Sequence, residues 1–474
     1  MAHIRALERG PLDTGFVLGS VRHAADAPSL RGWCLAAAVA LACLLAGLAG
    51  LKPATLKAYD QPLYLGIASD LATTGFYTNG RFGAPEQPGA YTALLYPAMI
   101  AGLARIDPVL ASAAACVRSA ATEALAACPT NLGILLPVQV ALACLTLVLV
   151  WRSTFAIGGG PVAAWCALLA AGLGTTEYAV YARTAMTEAL SLPLAALAGL
   201  LLVLLVRRAR WVTALGLGAT LGLLTLTRPE YLYLTVALGL VGLVLVVARH
   251  RRLGMRLVAA GAVCALVLAP WSLRNARLFG TAAPTFGYAG FILAQRMAYE
   301  AMTPREWVAQ FIDALPGFGP AAARLAMPDA VGRLGWEERP DTFYMVGNTL
   351  MVQQLAANAP NPADQVSYLL HRYAFMHPLR FTAVTLALAW KALWVRKYFS
   401  LIAVPCFAVM AWQAARRRDG VRLAFVLPPL FVLLLHAATT VSTPRYSLMM
   451  IPAYAAAVGL LAGPLVTRGW RRLR

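Results

Sequence analysis

Apolar residues in this chain come in unbroken runs of close to 20 positions, separated by short polar clusters. A helix needs runs of that size to cross a hydrocarbon layer of ~30 Å. Ten such spans are predicted, at 32–51, 132–151, 161–176, 188–206, 211–227, 231–248, 254–272, 398–415, 421–440 and 446–466. Two further apolar stretches, 90–106 and 379–394, are short, and counting both as spans would turn three internal arginine clusters outward. They read as helices lying in the outer interface, with Arg105 and the Lys391, Trp394 and Lys397 group at headgroup level.

Composition narrows the class. Of 474 residues, 60% are hydrophobic and 13% charged, where a soluble chain carries about 45–50% and about 25%. A soluble enzyme, a secreted disulfide scaffold and a disordered tail are excluded. The 40 Lys+Arg against 20 Asp+Glu give a net charge of +20. Nearly all the basic residues are Arg, gathered between apolar runs as short cytoplasmic loops require. This charge marks topology rather than nucleic-acid binding.

With the N-terminus inside, every dense arginine cluster falls on one side. The expected organisation is a cytoplasmic tail at 1–31, ahead of an uncleaved first span. A transmembrane catalytic module follows at 32–272, including a first periplasmic loop at 52–131. A periplasmic loop or lid at 273–397 carries the second interfacial helix, with shorter helices near 304–315, 342–357 and 363–376. Residues 398–474 supply the last spans and a basic cytoplasmic tail. The expected fold is an all-α polytopic bundle of about ten transmembrane helices. Of the twenty acids, all but Glu8, Asp13, Asp26 and Asp419 lie on the outer side, where large loops are usually functional.

Six of the eight cysteines lie in spans; Cys116 and Cys128 share the first outer loop. An oxidising periplasm would join them, closing a small loop, and two unpaired thiols are the alternative. No Walker loop, HExxH, CxxC pair or Gly-x-Ser-x-Gly occurs, and no transition-metal site can be argued from His371 and His377. Gly216, Gly218 and Gly222 sit in a span, where small residues serve helix packing.

The candidate chemistry lies at the outer ends of the spans. The first outer loop opens Tyr59-Asp60-Gln61-Pro62-Leu63-Tyr64, ahead of a helix with Leu63, Ile67 and Leu71 against the membrane, ending near Gly75. Asp60 has two readings, a helix N-cap or a carboxylate accepting a proton from a nucleophile. In TTEYAVYARTAMTEALSLP, Arg183 and Glu188 are five apart, so each needs another partner. Leu226-Thr227-Arg228-Pro229-Glu230 breaks its helix at the surface, either as a structural ion-pair network or as a site. Pro270-Trp271-Ser272-Leu273-Arg274-Asn275 and Thr443-Pro444-Arg445-Tyr446 place two arginines at matching depth. They are headgroup anchors or the clamp that a phosphate requires.

Taken in order, YDQPLYLGIASDLATTGFY, ALLYPAMIAGL, YARTAMTEAL, LTRPE, PWSLRNARLFGTAAPTFGYAGF and PRYSLMMIPAY resemble the polyprenyl-phosphate-sugar-dependent glycosyltransferases of the GT-C fold. These include the protein O-mannosyltransferase type and the enzymes that modify lipid A with aminoarabinose. The resemblance implies an inverting transferase in a bacterial inner membrane with its active site facing the periplasm. Its partners would be a polyprenyl-phosphate-linked sugar donor, a periplasmic glycan, lipid or protein acceptor, and membrane lipids. Asp60 would be the base and Glu188 the second catalytic acid. Arg274 and Arg445, then Arg183 and Arg228, would hold the donor phosphate, with Tyr64, Glu230 and Tyr446 as further substrate contacts. Two departures stand out: Asp60-Gln61 replaces Asp-Glu, and Glu86-Gln87-Pro88 replaces Lys-Pro. The first makes a divalent metal less favoured, and no metal is assigned. The rival readings are a flippase or transporter of lipid-linked sugars, and a polymerase or ligase of lipid-linked glycans.

Overall fold

The computed structural model describes residues 28–472, apart from 52–55, 57–59, 85, 175–176, 336–338, 396 and 442. Most of the tail predicted at 1–31, together with Tyr59, Thr175 and Arg474, lies outside the described residues. All regular structure among the described residues is helical. The first half holds α1 (Leu30–Ala49), α2 (Gln61–Thr73), α3 (Leu95–Ala104), α4 (Pro108–Ser119), α5 (Leu135–Ala156), α6 (Pro161–Leu173), α7 (Glu177–Arg183), α8 (Glu188–Arg208), α9 (Trp211–Thr225), α10 (Tyr231–Val247) and α11 (Arg251–Phe279). Seven short helices follow, α12 (Tyr288–Met297), α13 (Pro304–Asp313), α14 (Gly319–Ala326), α15 (Pro328–Val331), α16 (Phe343–Val346), α17 (Val352–Asn358) and α18 (Pro362–Leu369). The chain ends in α19 (Pro378–Leu393), α20 (Lys397–Arg416), α21 (Gly420–Thr439) and α22 (Ile451–Arg472).

Seven helices are long and apolar enough to cross a membrane: α1, α5, α8, α11, α20, α21, and α22 with the turn before it. The other three predicted spans are apolar helices too short to qualify, α6 with 13 residues, α9 with 15 and α10 with 17. At 1.5 Å per residue, α9 and α10 reach only about 22–26 Å. The cause is local. Pro229 cannot continue α9, and the Arg228–Glu230 ion pair closes the turn into α10.

Helix ends follow the sequence elsewhere too. The Ser29 hydroxyl accepts from Gly32 N–H at the start of α1, and Asp419 accepts from the Val421 and Arg422 N–H groups at the start of α21. Gly280, at φ 71°, ends α11 with its N–H on the Ala276 carbonyl. Small residues let helices close on one another. Gly459 and Gly463 of α22 lie against Ala163 and Ala167 of α6, and Gly218 and Gly222 of α9 lie against Ala260, Val263 and Val267 of α11. A side chain at those glycines would meet backbone or Cβ atoms, so the spacing is a packing device.

The two regions that the sequence reading expects on the outer side flank the bundle. In the first, α2 packs on α3 and α4. The sequence suggested an α2 with one face on lipid. Instead Gln61 and Leu63–Asp70 are all buried, because α3 and α4 cover it. A disulfide joins Cys116 in α4 to Cys128. Beside it, Arg118 pairs with buried Asp70 at 2.7 Å, and Thr78 donates to the same carboxylate at 2.6 Å. In the second region, α12, α17 and α18 share a small apolar core that includes Leu293, Met297, Met351, Leu355 and Leu369, while α13, α15 and α16 pack into the main core through Ala309, Ala330 and Phe343. Two π-helical turns, Gly347–Met351 and Leu370–Phe375, lie in this region.

Candidate active site

The site is assembled where α2, α8, the α9–α10 turn, α21 and the 444–450 turn meet. α7 stops at Arg183, and Thr184–Thr187 carry the chain sideways into α8, whose first residue is Glu188. Buried amides hold that sideways step in place. Gln61 accepts from Ala185 N–H at 2.9 Å, and Gln139 donates to the Ala182 and Thr184 carbonyls. Tyr96 donates to Gln139 at 2.7 Å and meets Tyr64 edge-on. Each amide satisfies backbone groups that the break in the helix leaves open.

Glu188 is fully buried and accepts from two guanidiniums, Nη1 of Arg228 at 3.2 Å and Nε of Arg445. Arg228 also donates from Nε to Glu230 at 2.7 Å, and Glu230 meets His436 Nε2 at 3.2 Å. Arg445 donates from Nη1 to Asp60 Oδ2 at 2.7 Å. The result is one continuous chain of charge, Asp60–Arg445–Glu188–Arg228–Glu230–His436. The ring of Tyr446 lies 5.4 Å from the Arg228 guanidinium and 5.7 Å from that of Arg445.

Exposure grades along this chain. The Glu188 side chain is 0% exposed, Arg228 7%, Arg445 15% and Asp60 37%. Asp60 is thus the member nearest solvent. Its side chain makes no capping bond to α2, although it occupies the N-cap position, so capping does not account for it. Among the described residues its Oδ1 makes no hydrogen bond, and neither does Nη2 of Arg445 or of Arg228. A carboxylate oxygen and two guanidinium N–H groups are therefore free to meet a ligand.

Tyr64, Tyr91 and Tyr288 stand around Asp60. Burial, reinforced by the Asp60 charge, pushes the Tyr91 hydroxyl up to about 12 and raises those of Tyr64 and Tyr288. They stay protonated near neutral pH, so each hydroxyl keeps a proton to donate. Tyr91 packs edge-on to Tyr288 at 4.7 Å.

Of the residues singled out in the sequence, Asp60, Tyr64, Glu188, Arg228, Glu230, Arg445 and Tyr446 are thus brought together. Arg183 and Arg274 are not part of this chain. Arg183 donates to the Leu51 carbonyl at 2.9 Å, tying α7 to the end of α1. Arg274 donates to the Gly89 and Tyr77 carbonyls and to Asn275, under the Trp271 ring at 4.5 Å. Sequence reasoning missed His436, Tyr91 and Tyr288. For His436 the signal existed, since a histidine in an otherwise apolar span is functional by default; the two tyrosines carry no such mark.

The donor set does not suit a divalent ion. Asp60 and Glu188 are held by one guanidinium, Gln61 has no charge and is engaged with Ala185, and no three His, Cys, Asp or Glu among the described residues are placed to share a metal.

Between α8, α9, α10 and α21, a small apolar cavity of about 60 Å³ is lined by residues such as Leu202, Leu221, Leu234, Phe425 and Val432. Tyr231, next to Glu230, and Met449, in the turn that carries Arg445, border it as well.

No protein-family model and no curated protein matches the chain. Among solved structures it is similar to the archaeal oligosaccharyltransferase AglB from Archaeoglobus fulgidus, solved with an inhibitory peptide and a dolichol-phosphate. The sequences are 12% identical and the TM-score is 0.49 over 93% of this chain and 51% of that one, so this chain spans about half that protein's length.

Proposed function

We propose that the chain is an inverting glycosyltransferase that moves a sugar from a polyprenyl-phosphate donor to a periplasmic acceptor at the outer face of a bacterial inner membrane. The observation that carries this reading is the pairing at Arg445: a carboxylate with one free oxygen set against a guanidinium with a free N–H, and a second such guanidinium beside it. Transfer from a phosphate ester needs those two things. An acceptor hydroxyl or amine attacks the anomeric carbon and the new bond forms as the carbon–oxygen bond to phosphate breaks. The acceptor's proton passes to Oδ1 of Asp60, and the electron pair leaves on the phosphate oxygen facing Arg445 and Arg228. A single displacement inverts the anomeric centre. Glu188 touches neither reactant in this scheme and fixes both arginines. The small apolar cavity below them marks the apolar side of the site, towards which an isoprenoid tail would run, and Tyr91 and Tyr288 wall the side where the sugar would lie.

The test is transfer from a panel of radiolabelled polyprenyl-phosphate sugars in membranes holding the wild type or Asp60→Asn. Donor consumption by the wild type alone is expected. Equal consumption by both would remove Asp60 from the chemistry, and lipid translocation in sealed vesicles without any transfer would replace the reading with that of a transporter.

A further inference from the structure

We infer that Asp60 is a placeholder for the donor phosphate: in the resting site it occupies the outer edge of Arg445, and a phosphate displaces it from there. The inference rests on the transferase reading above and concerns how that same site is switched.

Three observations lead to it. First, the two grips on Arg445 are unequal. Its Nε is held by Glu188, which is fully buried and also holds Arg228. Its Nη1 is held by Asp60, which is 37% exposed and has no other side-chain hydrogen bond among the described residues. Nη1 and Nη2 form the end of the guanidinium fork, the geometry that takes two phosphate oxygens at once. Asp60 covers half of that end, and Nη2 is open.

Second, the charges do not allow simple addition. Three carboxylates, Asp60, Glu188 and Glu230, face two guanidiniums, with His436 at the far end of the chain. The carboxylates outnumber the guanidiniums, so an arriving phosphate meets repulsion unless a carboxylate gives up its place on a guanidinium. Glu188 has two guanidiniums and no solvent, and Glu230 has Arg228 and His436. Asp60 has a single tie and the most room.

Third, the displaced carboxylate has a use. With Oδ2 released, both oxygens of Asp60 can turn to the acceptor, while the phosphate takes over the guanidinium that must neutralise it as the bond breaks. Seating the donor and freeing the base become one event, which orders the reaction donor first.

Binding of a short-chain polyprenyl phosphate, without sugar, to the purified full-length protein in nanodiscs tests this. Removing the competing carboxylate in Asp60→Asn should tighten binding by at least about threefold, the effect of losing a partly exposed ion pair, while transfer is lost. Asp60→Ala carries the same expectation if the first variant folds poorly, which thermal unfolding reports. If the wild type binds the lipid and both variants bind it no more tightly, the exchange is wrong and the transferase reading stands. If the wild type binds no polyprenyl phosphate, the phosphate site falls and the exchange falls with it.

Discussion

Glu188 and Asp60 lie on the same guanidinium, yet removing each should do different things. Glu188→Gln leaves Arg228 and Arg445 buried around a neutral group, and breaking a buried pair in this way costs about 3–5 kcal/mol. It should appear as a large fall in thermal stability in detergent, with donor binding weakened because each arginine is then held only at one side, Arg228 by Glu230 and Arg445 by Asp60. Asp60→Asn removes a partly exposed pair, should cost under ~1 kcal/mol, and should abolish transfer. A stability loss at Asp60 as large as that at Glu188 would make Asp60 structural. Gln61 supports a second expectation. Its carboxamide is used on Ala185 N–H and it brings no charge to Asp60, so chelators should leave transfer unchanged; loss on chelation with recovery on adding magnesium would show that a metal belongs here. Much of the site was legible because a charge at the end of an apolar run is conspicuous whatever its role. The same signature explains Arg183 and Arg274, which the structure ties to backbone carbonyls instead. Which carbonyl lies within reach of a guanidinium is a matter of packing, and local sequence does not carry it.

Helices were legible to the extent that their ends are written in local chemistry. Ser29, Asp419, Gly280 and the Arg207–Arg208 pair mark termini through caps and charge. The shortness of α9 and α10 is less visible, because the apolar run continues past the helix end at Thr225 to Leu226. In the first outer region, the Cys116–Cys128 disulfide closes a 12-residue separation next to Arg118 and Asp70. Cys116→Ser should cost about 3 kcal/mol, and dithiothreitol should lower the melting temperature of the wild type to that of the variant; a wild type indifferent to reductant would mean the bridge is not formed. In α19, burial pushes the Lys391 ammonium down to about 8, with the Asp313 charge partly offsetting it. The folded state therefore disfavours the charged form relative to the unfolded chain. That cost is complete below pH 8 and is relieved as the pH rises from about 8 towards 10.5, the ordinary value. Wild-type stability should rise relative to Lys391→Met across that window and run parallel to it below, as pH-dependent thermal unfolding of the two proteins would register.

At the scale of the whole molecule, α12, α17 and α18 have a small core of their own, whereas α13, α15 and α16 share the main core, so α12 depends on polar ties for its place against α21 and α19. Arg296 makes several of these. It is fully buried in α12 and donates to the Ala437 carbonyl at the end of α21, to Thr385 in α19 and to Glu300 within its own region, with its guanidinium over the Phe381 ring. One side chain thus joins α12 to α21 of the bundle and to α19, and Ala437 follows directly on His436 of the charged chain. Arg296→Gln removes the ion pair and leaves Glu300 buried without its cation. A loosened outer region exposes backbone that packing now protects. Limited proteolysis should therefore cut the variant within 281–378 many times faster than the wild type, while the membrane-embedded fragments stay intact and associated. If the outer region serves as a lid, transfer should fall in parallel, with the Michaelis constant for the acceptor rising more than that for the donor, since Arg445 and Arg228 are untouched. Unchanged proteolysis would mean that the region is held by its other contacts, and an equal effect on both constants would mean that it supports the site as a whole rather than its acceptor side.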